Sequence, residues 1–258
     1  MNETKNTVSR QWHDDELAFH WETTVLFSQC NANKKLSLNE LLKITSDVAV
    51  EDFNRRGMSR ETLADNGIAI LVSRDSFRLH RYPEENEHIV VHTWEEKSEP
   101  LQFVRAVTIE NEKGEKLVTG MTAWLLVDLK NRRIMPIKKF DEMKMRVPTL
   151  KKTEHDCLPY GKIQLPDDMV LLDERTIKYS DLDANGHTNN SRYAAFAADA
   201  LPAELQGVEF KDFRINFAKE AMLGQKVQVF GKIDKAAKKL VMAGRTENDT
   251  SFEAELFW

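Results

Sequence analysis

The sequence has only two cysteines among its 258 residues, Cys30 and Cys157, and they lie far apart along the chain. Two isolated thiols favour a reducing compartment over a disulfide framework, so we expect a cytoplasmic protein. The only histidine near either thiol is His155, two residues before Cys157 in a polar stretch, which is not an arrangement typical of a catalytic cysteine. The sequence therefore gives little support for a cysteine hydrolase.

Long apolar runs are also missing. No stretch approaches the roughly 18 apolar residues that suggest a membrane helix, and residues 1–7 are polar, without a signal-peptide core. The formal net charge of −5 makes nucleic acid an unfavourable partner. We therefore expect no membrane and no nucleic-acid partner for a chain long enough for one large or two small domains.

Several motifs of well-known enzyme classes are absent. The chain has no phosphate-binding loop and no dinucleotide fingerprint. Its Gly57-Met-Ser-Arg-Glu61 segment lacks the final glycine of a serine nucleophile elbow. His88 and His92 share a strand face, but no cysteine or carboxylate ligands are placed beside them, so a zinc site has weak support.

The first half of the chain has the pattern of a strand, a helix and an antiparallel meander. Aromatic and β-branched residues predict a strand over 19–27. Ser37 begins a helix with a 3.6-residue apolar period and Glu40 at capping-box spacing, and we expect it to end near Arg55. A short helix over 59–66 and a meander of strands beginning at residue 68 follow.

Residues 138–166 interrupt this pattern, and we interpret them as a linker that crosses the surface. They contain prolines and the basic residues Lys138, Lys139, Lys144, Arg146, Lys151 and Lys152.

After the linker, the plan of the first half recurs as a weak internal duplication: a strand, a helix from Asn190 to about Leu201, and further strands. The second helix is small and apolar nearly all round, so a curved sheet can wrap around it without clashes. Two such units would pair their sheets edge to edge. Two unrelated α+β domains are the alternative interpretation.

A polar cluster immediately precedes the second helix. Asp183, Asn185 and His187 alternate along the chain, so in an extended segment their side chains would share one face. Asn189 and Asn190 lie at the position of a helix N-cap. A carboxylate, an amide and an imidazole beside a helix N-terminus are able to hold a polarised carbonyl and its oxyanion. The residues 183–186 also have strong turn chemistry, so a simple turn remains the alternative.

Glu220 is the second candidate, because it follows an apolar strand and precedes a turn at Gly224. Taken alone, this position is typical of a solvated strand end. A carboxylate that met His187 across the fold would be placed to activate a nucleophile.

The polar cluster resembles a motif of acyl–acyl carrier protein thioesterases, a family of tandem double-hotdog hydrolases. The family pattern Asp-x-Asn-x-His-x-Asn-Asn-x-x-Tyr is met by Asp183, Asn185, His187, Asn189, Asn190 and Tyr193. The first half carries similar signatures in the segments 41–50, 82–83, 92–94, Trp124 and 131–133. The resemblance thus extends over nearly the whole chain.

Two positions depart from the family pattern. The family has a cysteine after its late glutamate, where this chain has Ala221 after Glu220, which rules out thiolate chemistry at this position. The turn Glu84-Glu85-Asn86 replaces the Trp-Gly-Asp that is frequent in the family.

The resemblance implies an α+β fold, a tandem double hotdog in which each half wraps an antiparallel sheet around a central helix. Residues 1–140 are then the N-terminal hotdog that shapes the acyl pocket, 141–168 the linker and 169–258 the catalytic C-terminal hotdog. The resemblance also implies hydrolysis of fatty acyl–acyl carrier protein to free fatty acid and holo carrier, which terminates fatty acid synthesis, without cofactor or metal.

The catalytic residues implied are Asp183, Asn185, His187 and Glu220. Glu220 either activates water or attacks the thioester directly. The segment before the first helix, residues 29–34, has no Asp/Asn/His counterpart, so we predict one active site per chain.

The implied partner is acyl carrier protein with its acyl-phosphopantetheine arm, and a homodimer is left open. Docking candidates for this acidic protein are the linker lysines and Arg132, Arg133, Lys138 and Lys139. Candidates to line the acyl slot are Val48, Ile70 and Trp94. The alternatives are a coenzyme A thioesterase of the same fold and a non-hydrolytic acyl-binding protein, while a hotdog dehydratase fits the polar residues poorly.

Overall fold

The computed structural model describes residues 9–145, 148–150 and 152–258. Residues 1–8 of the predicted N-terminal half, and Arg146 and Lys151 of the predicted linker, lie outside the described residues. The first half contains β1 Arg10–His13, β2 Phe19–Thr24, α1 Leu38–Arg55, α2 Arg60–Asp65, β3 Ile68–Leu79, β4 His88–Glu99, β5 Gln102–Asn111, β6 Lys116–Asp128, β7 Arg133–Met135 and α3 Lys138–Glu142. The second half contains β8 Val170–Thr176, α4 Asn190–Asp199, β9 Asp212–Phe217, β10 Lys226–Asp234, β11 Lys239–Arg245 and β12 Thr250–Phe257.

In these described residues the strands form one antiparallel sheet of twelve strands. The strand order is β1-β2-β4-β5-β6-β3-β9-β12-β11-β10-β8, and β7 pairs with β6. The two halves meet where β3 pairs with β9, with Arg74 opposite Asn216 and Phe77 opposite Phe213. At the end of this seam Arg78 binds both carboxylate oxygens of Asp212, at 2.8 and 3.1 Å. The predicted edge-to-edge pairing is therefore confirmed.

The helices α1 and α4 pack against each other on one face of this sheet. Their apolar sides share one core with both halves of the sheet, which includes Leu41, Leu42, Val48, Phe77, Val118, Tyr193, Phe196, Phe213 and Leu256. Burial of this apolar surface is the main force that holds the helices on the sheet. The α+β tandem double-hotdog arrangement is confirmed. Among the described helices, none is long and apolar enough to cross a membrane.

The start of α1 differs in detail from the predicted capping box. Ser37 is the N-cap residue, but its hydroxyl donates to the carbonyl of Gln29 at 3.0 Å and makes no cap hydrogen bond. Glu40 pairs with Lys43 instead. The prediction of a capping box is wrong, because the Ser37 hydroxyl is hydrogen-bonded to the segment before the helix. The helix ends at Arg55, as predicted.

The predicted linker begins with a helix and then lies along the sheet. Phe140 of α3 is buried against Phe103 of β5, with ring centroids 5.1 Å apart. Further along, the amide of Leu150 donates to Glu95 of β4 at 2.8 Å. The side-chain amide of Asn216 in β9 donates to the carbonyl of Gly161 at 3.0 Å. This segment therefore crosses strands of both halves.

Candidate active site

Asp183, Asn185 and His187 lie in a tight turn and not in an extended segment. The amide of Asp183 donates to the carbonyl of His187 at 2.8 Å, and Gly186 adopts a positive φ of 79°. The prediction that the three side chains share a strand face is therefore wrong, because the turn chemistry of residues 183–186 prevails. Oδ1 of Asp183 accepts from the amides of Asn185 at 2.7 Å and His187 at 3.4 Å. The carboxylate thus holds the turn together.

The turn leads directly into α4. Oδ1 of Asn189 accepts from the amide of Ser191 at 2.9 Å, so Asn189 is the N-cap residue, as predicted. Asn190 is the first residue of the helix. The helix therefore begins immediately after the turn that carries His187, and its N-terminal end provides a positive dipole there.

Glu220 is fixed beside this helix through its neighbour Ala221. The amide of Ala221 donates to the hydroxyl of Tyr193 at 2.9 Å, and its carbonyl accepts from the hydroxyl of Thr188 at 2.6 Å. Oε1 of Glu220 lies 3.3 Å from Nδ1 of His187. The predicted meeting of Glu220 and His187 is confirmed, whereas their catalytic roles remain predictions.

Two arginines of the first half reach this site, and no local pattern predicted their contacts there. Nη2 of Arg60 donates to the carbonyl of Ala184 at 3.1 Å. Nη2 of Arg132 lies 3.7 Å from Oε2 of Glu220. Arg132 was expected only as a docking residue. These residues are far apart in sequence and meet only because β3 pairs with β9. No local sequence pattern indicates such contacts.

A mostly apolar cavity of about 300 Å³ opens beside Asn185. Apart from Asn185, its lining comes from the first half: Val50, Phe53, Asn54, Met58, Arg60, Leu63, Ala64, Ile68, Ala69, Ile70, Leu71, Trp124 and Leu129. Ile70 was expected to line an acyl slot and does line this cavity. Val48 and Trp94 were also expected there, but Val48 is buried in the helix–sheet core and the indole of Trp94 donates to the carbonyl of Lys152. The prediction that Val48 and Trp94 line the acyl slot is therefore wrong for this cavity.

The other histidines and cysteines of interest lie in different surroundings. Nδ1 of His92 lies 2.6 Å from Nδ1 of His20, and burial together with the charge of His20 lowers the pKa of His92 to about 4. Burial raises the pKa of the Cys157 thiol to about 11, so this thiol is protonated at neutral pH. Within the described parts of the chain, no group of three or more His, Cys, Asp or Glu side chains is arranged to hold a metal ion.

We expect Asp183→Asn to preserve the turn and Asp183→Ala to disrupt it. Asparagine keeps the Oδ1 acceptor, whereas alanine loses hydrogen bonds worth about 1 kcal/mol each. Comparing the unfolding midpoints and the kcat/KM values of both variants tests this. Equal loss of activity in both variants, with the asparagine variant stable, would show that the carboxylate charge itself is required.

The fold and the site together define a class of protein: a tandem double hotdog with a histidine–carboxylate pair at the start of its second-half helix. The family models described as the N-terminal and C-terminal domains of acyl-ACP thioesterases match residues 16–143 and 167–256. The chain belongs to the acyl-ACP thioesterase family.

The relatives that it matches are plant proteins. The chain is 22% identical over 209 residues to an acyl-[acyl-carrier-protein] hydrolase of Cuphea viscosissima, which covers 74% of this chain and 49% of that protein. It is also 22% identical over 223 residues to a palmitoyl-acyl carrier protein thioesterase of Gossypium hirsutum, which covers 80% of this chain and 52% of that protein. The chain thus spans about half the length of these relatives.

Solved structures share the fold over nearly their full length. An acyl-ACP thioesterase from Bacteroides thetaiotaomicron superimposes with a TM-score of 0.79 at 19% identity, covering 93% of this chain and 97% of that one. A 12:0-ACP thioesterase from Umbellularia californica gives a TM-score of 0.80 at 15% identity, covering 93% and 96%. At these identities the comparison concerns the fold alone.

Proposed function

We propose that this protein hydrolyses the thioester between a fatty acyl group and acyl carrier protein, which releases free fatty acid and ends chain elongation. Family membership and the names of the relatives support this substrate class. The observation that carries the proposal is the 3.3 Å contact between His187 and Glu220 beside an apolar cavity. A proton acceptor and a slot for an acyl chain are the two parts that this reaction requires.

In the proposed reaction the thioester carbonyl lies over the start of α4. The positive end of the α4 dipole, together with the side-chain amide of Asn185, stabilises the oxyanion. Glu220, oriented by His187 and Arg132, takes a proton from water as the water oxygen attacks the carbonyl carbon. The carbon–sulfur bond then breaks, and the proton passes through His187 to the sulfur of the leaving thiol. Asp183 holds the turn in place.

The cavity beside Asn185 is the proposed acyl slot. Each methylene buried in it contributes about 0.8 kcal/mol, so a first-half cavity supplies binding energy for chemistry in the second half. The division into an acyl-pocket half over residues 1–140, a linker over 141–168 and a catalytic half over 169–258 is part of this proposal. The two family matches, which leave the segment between them uncovered, support it.

The proposed carrier docks on the exposed basic residues around Arg132, which include Arg133, Lys138 and Lys139. Steering of an acidic partner by such residues is screened by salt. We also propose a cytoplasmic location, which the free state of both cysteines supports.

The decisive experiment compares the same acyl group on acyl carrier protein and on coenzyme A, with the released fatty acids identified by mass spectrometry. We expect faster hydrolysis from the carrier protein at low salt, and a loss of this preference at high salt. Equal rates on both carriers at every salt concentration would favour a coenzyme A thioesterase. Bound lipid without turnover on either carrier would favour a non-hydrolytic acyl-binding protein.

We expect Ile70→Trp to shift the preference toward shorter acyl chains. A larger side chain in the slot removes space for several methylene groups, each worth about 0.8 kcal/mol of binding. The test is the ratio of kcat/KM values for long and medium acyl chains. Val48→Leu, outside the lining, is the matched control and should leave this ratio unchanged. An unchanged ratio in the Ile70 variant would mean that the chain binds elsewhere.

A further inference from the structure

The segment that leads into α1 is a structural copy of the segment that leads into α4. Residues 26–38 and 178–190 share one order of elements at a constant offset: a turn of 3₁₀ helix, a bridge, a tight turn and a helix start. The bridge joins Cys30 to Leu36 in the first copy. This likeness was not expected, because the first copy lacks the aspartate and the histidine of the candidate active site.

The two tight turns match bond for bond. The amide of Asn31 donates to the carbonyl of Lys35 at 2.8 Å, as the amide of Asp183 does to His187 at 2.8 Å. Oδ1 of Asn31 accepts from the amides two and four residues ahead at 2.9 and 3.2 Å. Oδ1 of Asp183 does the same at 2.7 and 3.4 Å. Asn31 and Lys35 therefore occupy the positions of Asp183 and His187.

The neighbouring chain segments also correspond. The amide of Leu36 donates to the carbonyl of Pro83 at 2.8 Å, and the amide of Thr188 donates to the carbonyl of Ala221 at 3.2 Å. Tyr82 precedes Pro83 and thus stands in sequence where the second half has its candidate catalytic glutamate. The copy therefore has no carboxylate at this position to activate water.

The copy nevertheless keeps a cavity. A space of about 200 Å³ opens beside Asn33, with apolar lining from the second half that includes Leu201, Val208 and Phe210. Residues of the first half, among them Asn31, Leu38 and Tyr82, complete its lining. The larger cavity beside Asn185 is lined by the first half, apart from Asn185 itself. Each asparagine thus lines a cavity that the opposite half helps to form.

The lining of the smaller cavity includes one positively charged side chain. Lys35 lines the cavity and forms an ion pair with the carboxylate of Glu209, whose side chain is 53% exposed. The side-chain amide of Asn33 donates to the carbonyl of Gly207 at 3.2 Å. A lysine in the lining of a mostly apolar space favours a ligand with a carboxylate head and an apolar tail. The carboxylate of Glu209 already occupies the place beside Lys35 that the ligand carboxylate would take.

We propose that the cavity beside Asn33 is a non-hydrolytic binding site for a medium-chain fatty carboxylate. The ligand carboxylate displaces Glu209 from Lys35, and its tail lies against the second-half lining. Because a methylene group is about the size of a water molecule, which takes up about 30 Å³, the cavity holds roughly seven such groups. The choice of ligand rests on the proposed function, since a fatty acid is the product that the other site would release.

The test is calorimetric titration of octanoate into the full chain with Ile70→Trp, which fills the larger cavity. We expect one octanoate per chain. Lys35→Met should weaken binding about tenfold or more, because it removes a hydrogen bond to a charged group. Glu209→Gln should tighten binding about two- to fivefold, because it removes an exposed competing ion pair. Lys34→Met, next to the cavity but not in its lining, is the matched control.

The Glu209 variant separates ligand binding from a purely structural ion pair, because only a competitor for Lys35 improves affinity when it is removed. Unchanged octanoate affinity in both the Lys35 and the Glu209 variants, with native unfolding midpoints, would overturn the proposal. The titration involves no hydrolysis. A wild-type chain without thioesterase activity would therefore contradict the proposed function and leave the binding result standing. A chain that hydrolyses thioesters but binds no octanoate would contradict this proposal and leave the proposed function standing.

Discussion

Glu220→Gln is expected to lower kcat for acyl thioester hydrolysis by about 10²–10⁴, the usual contribution of a general base. Glutamine keeps the shape and hydrogen-bonding capacity of the side chain but cannot take a proton from water. Because Glu220 is partly exposed and its neighbour Ala221 anchors the segment, the fold should remain intact. Steady-state kinetics with one acyl group on acyl carrier protein measures the effect.

The matched control for this variant is Glu204→Gln, an exposed carboxylate that follows the C-terminal end of α4, whereas the site lies at the N-terminal end of this helix. It should leave kcat and KM unchanged. KM of the Glu220 variant should change much less than kcat, because water activation acts on the transition state and not on substrate binding. Full activity of the Glu220 variant, with a wild-type unfolding midpoint, would remove Glu220 from the mechanism.

Asp52→Ala is expected to destabilise the protein by about 3–5 kcal/mol, as for other buried ion pairs that lose one partner. The side chains of Asp52 and Arg105 are both completely buried, and they bind each other. His13 and Arg56 also bind Asp52, each at 2.7 Å. Removing the carboxylate leaves the guanidinium of Arg105 buried without its carboxylate partner. Denaturant unfolding measures the change.

A double variant provides the control for Asp52. Asp52→Leu combined with Arg105→Leu should recover part of the lost stability, because the fully buried guanidinium of Arg105 is removed together with its partner, while Arg56 and His13 lose Asp52 in both variants. Lys139→Ala, which breaks an exposed pair with Glu142, should have little effect. If Asp52→Ala unfolds at the wild-type denaturant concentration, this network does not contribute to stability.

The same carboxylate makes stability depend on pH. Burial by itself raises the pKa of Asp52, but the nearby Arg105 and the hydrogen bonds from His13 and Arg105 lower it below its usual value. A depressed pKa contributes stability above the unfolded value of about 3.9, and this contribution is lost as pH falls further. Wild type should therefore lose more stability than the double leucine variant on the acid side of that pH.

Much of the fold followed from local patterns. The 3.6-residue period from residue 38, the alternation of the meander and the recurrence of the plan after the linker predicted α1, α2, α4 and most of the strands, whereas β1, β7 and α3 were not predicted. The spacing of Asp183, Asn185 and His187, followed by Asn189, located the polar cluster at a helix start. These signals are readable because each depends on residues within one or two turns of chain.

The sequence by itself thus determined most of the segments that become helix or strand, and where the polar cluster lies. Only the tertiary structure decided that Arg60 and Arg132 reach this cluster and that Asp52 is buried with a partner. It also revealed the copy of the turn in the first half, with a cavity of its own. The physical reason is that hydrophobic and dihedral preferences act along the chain. Contacts between residues distant in sequence arise only when β3 pairs with β9 and the two helices bury a common core.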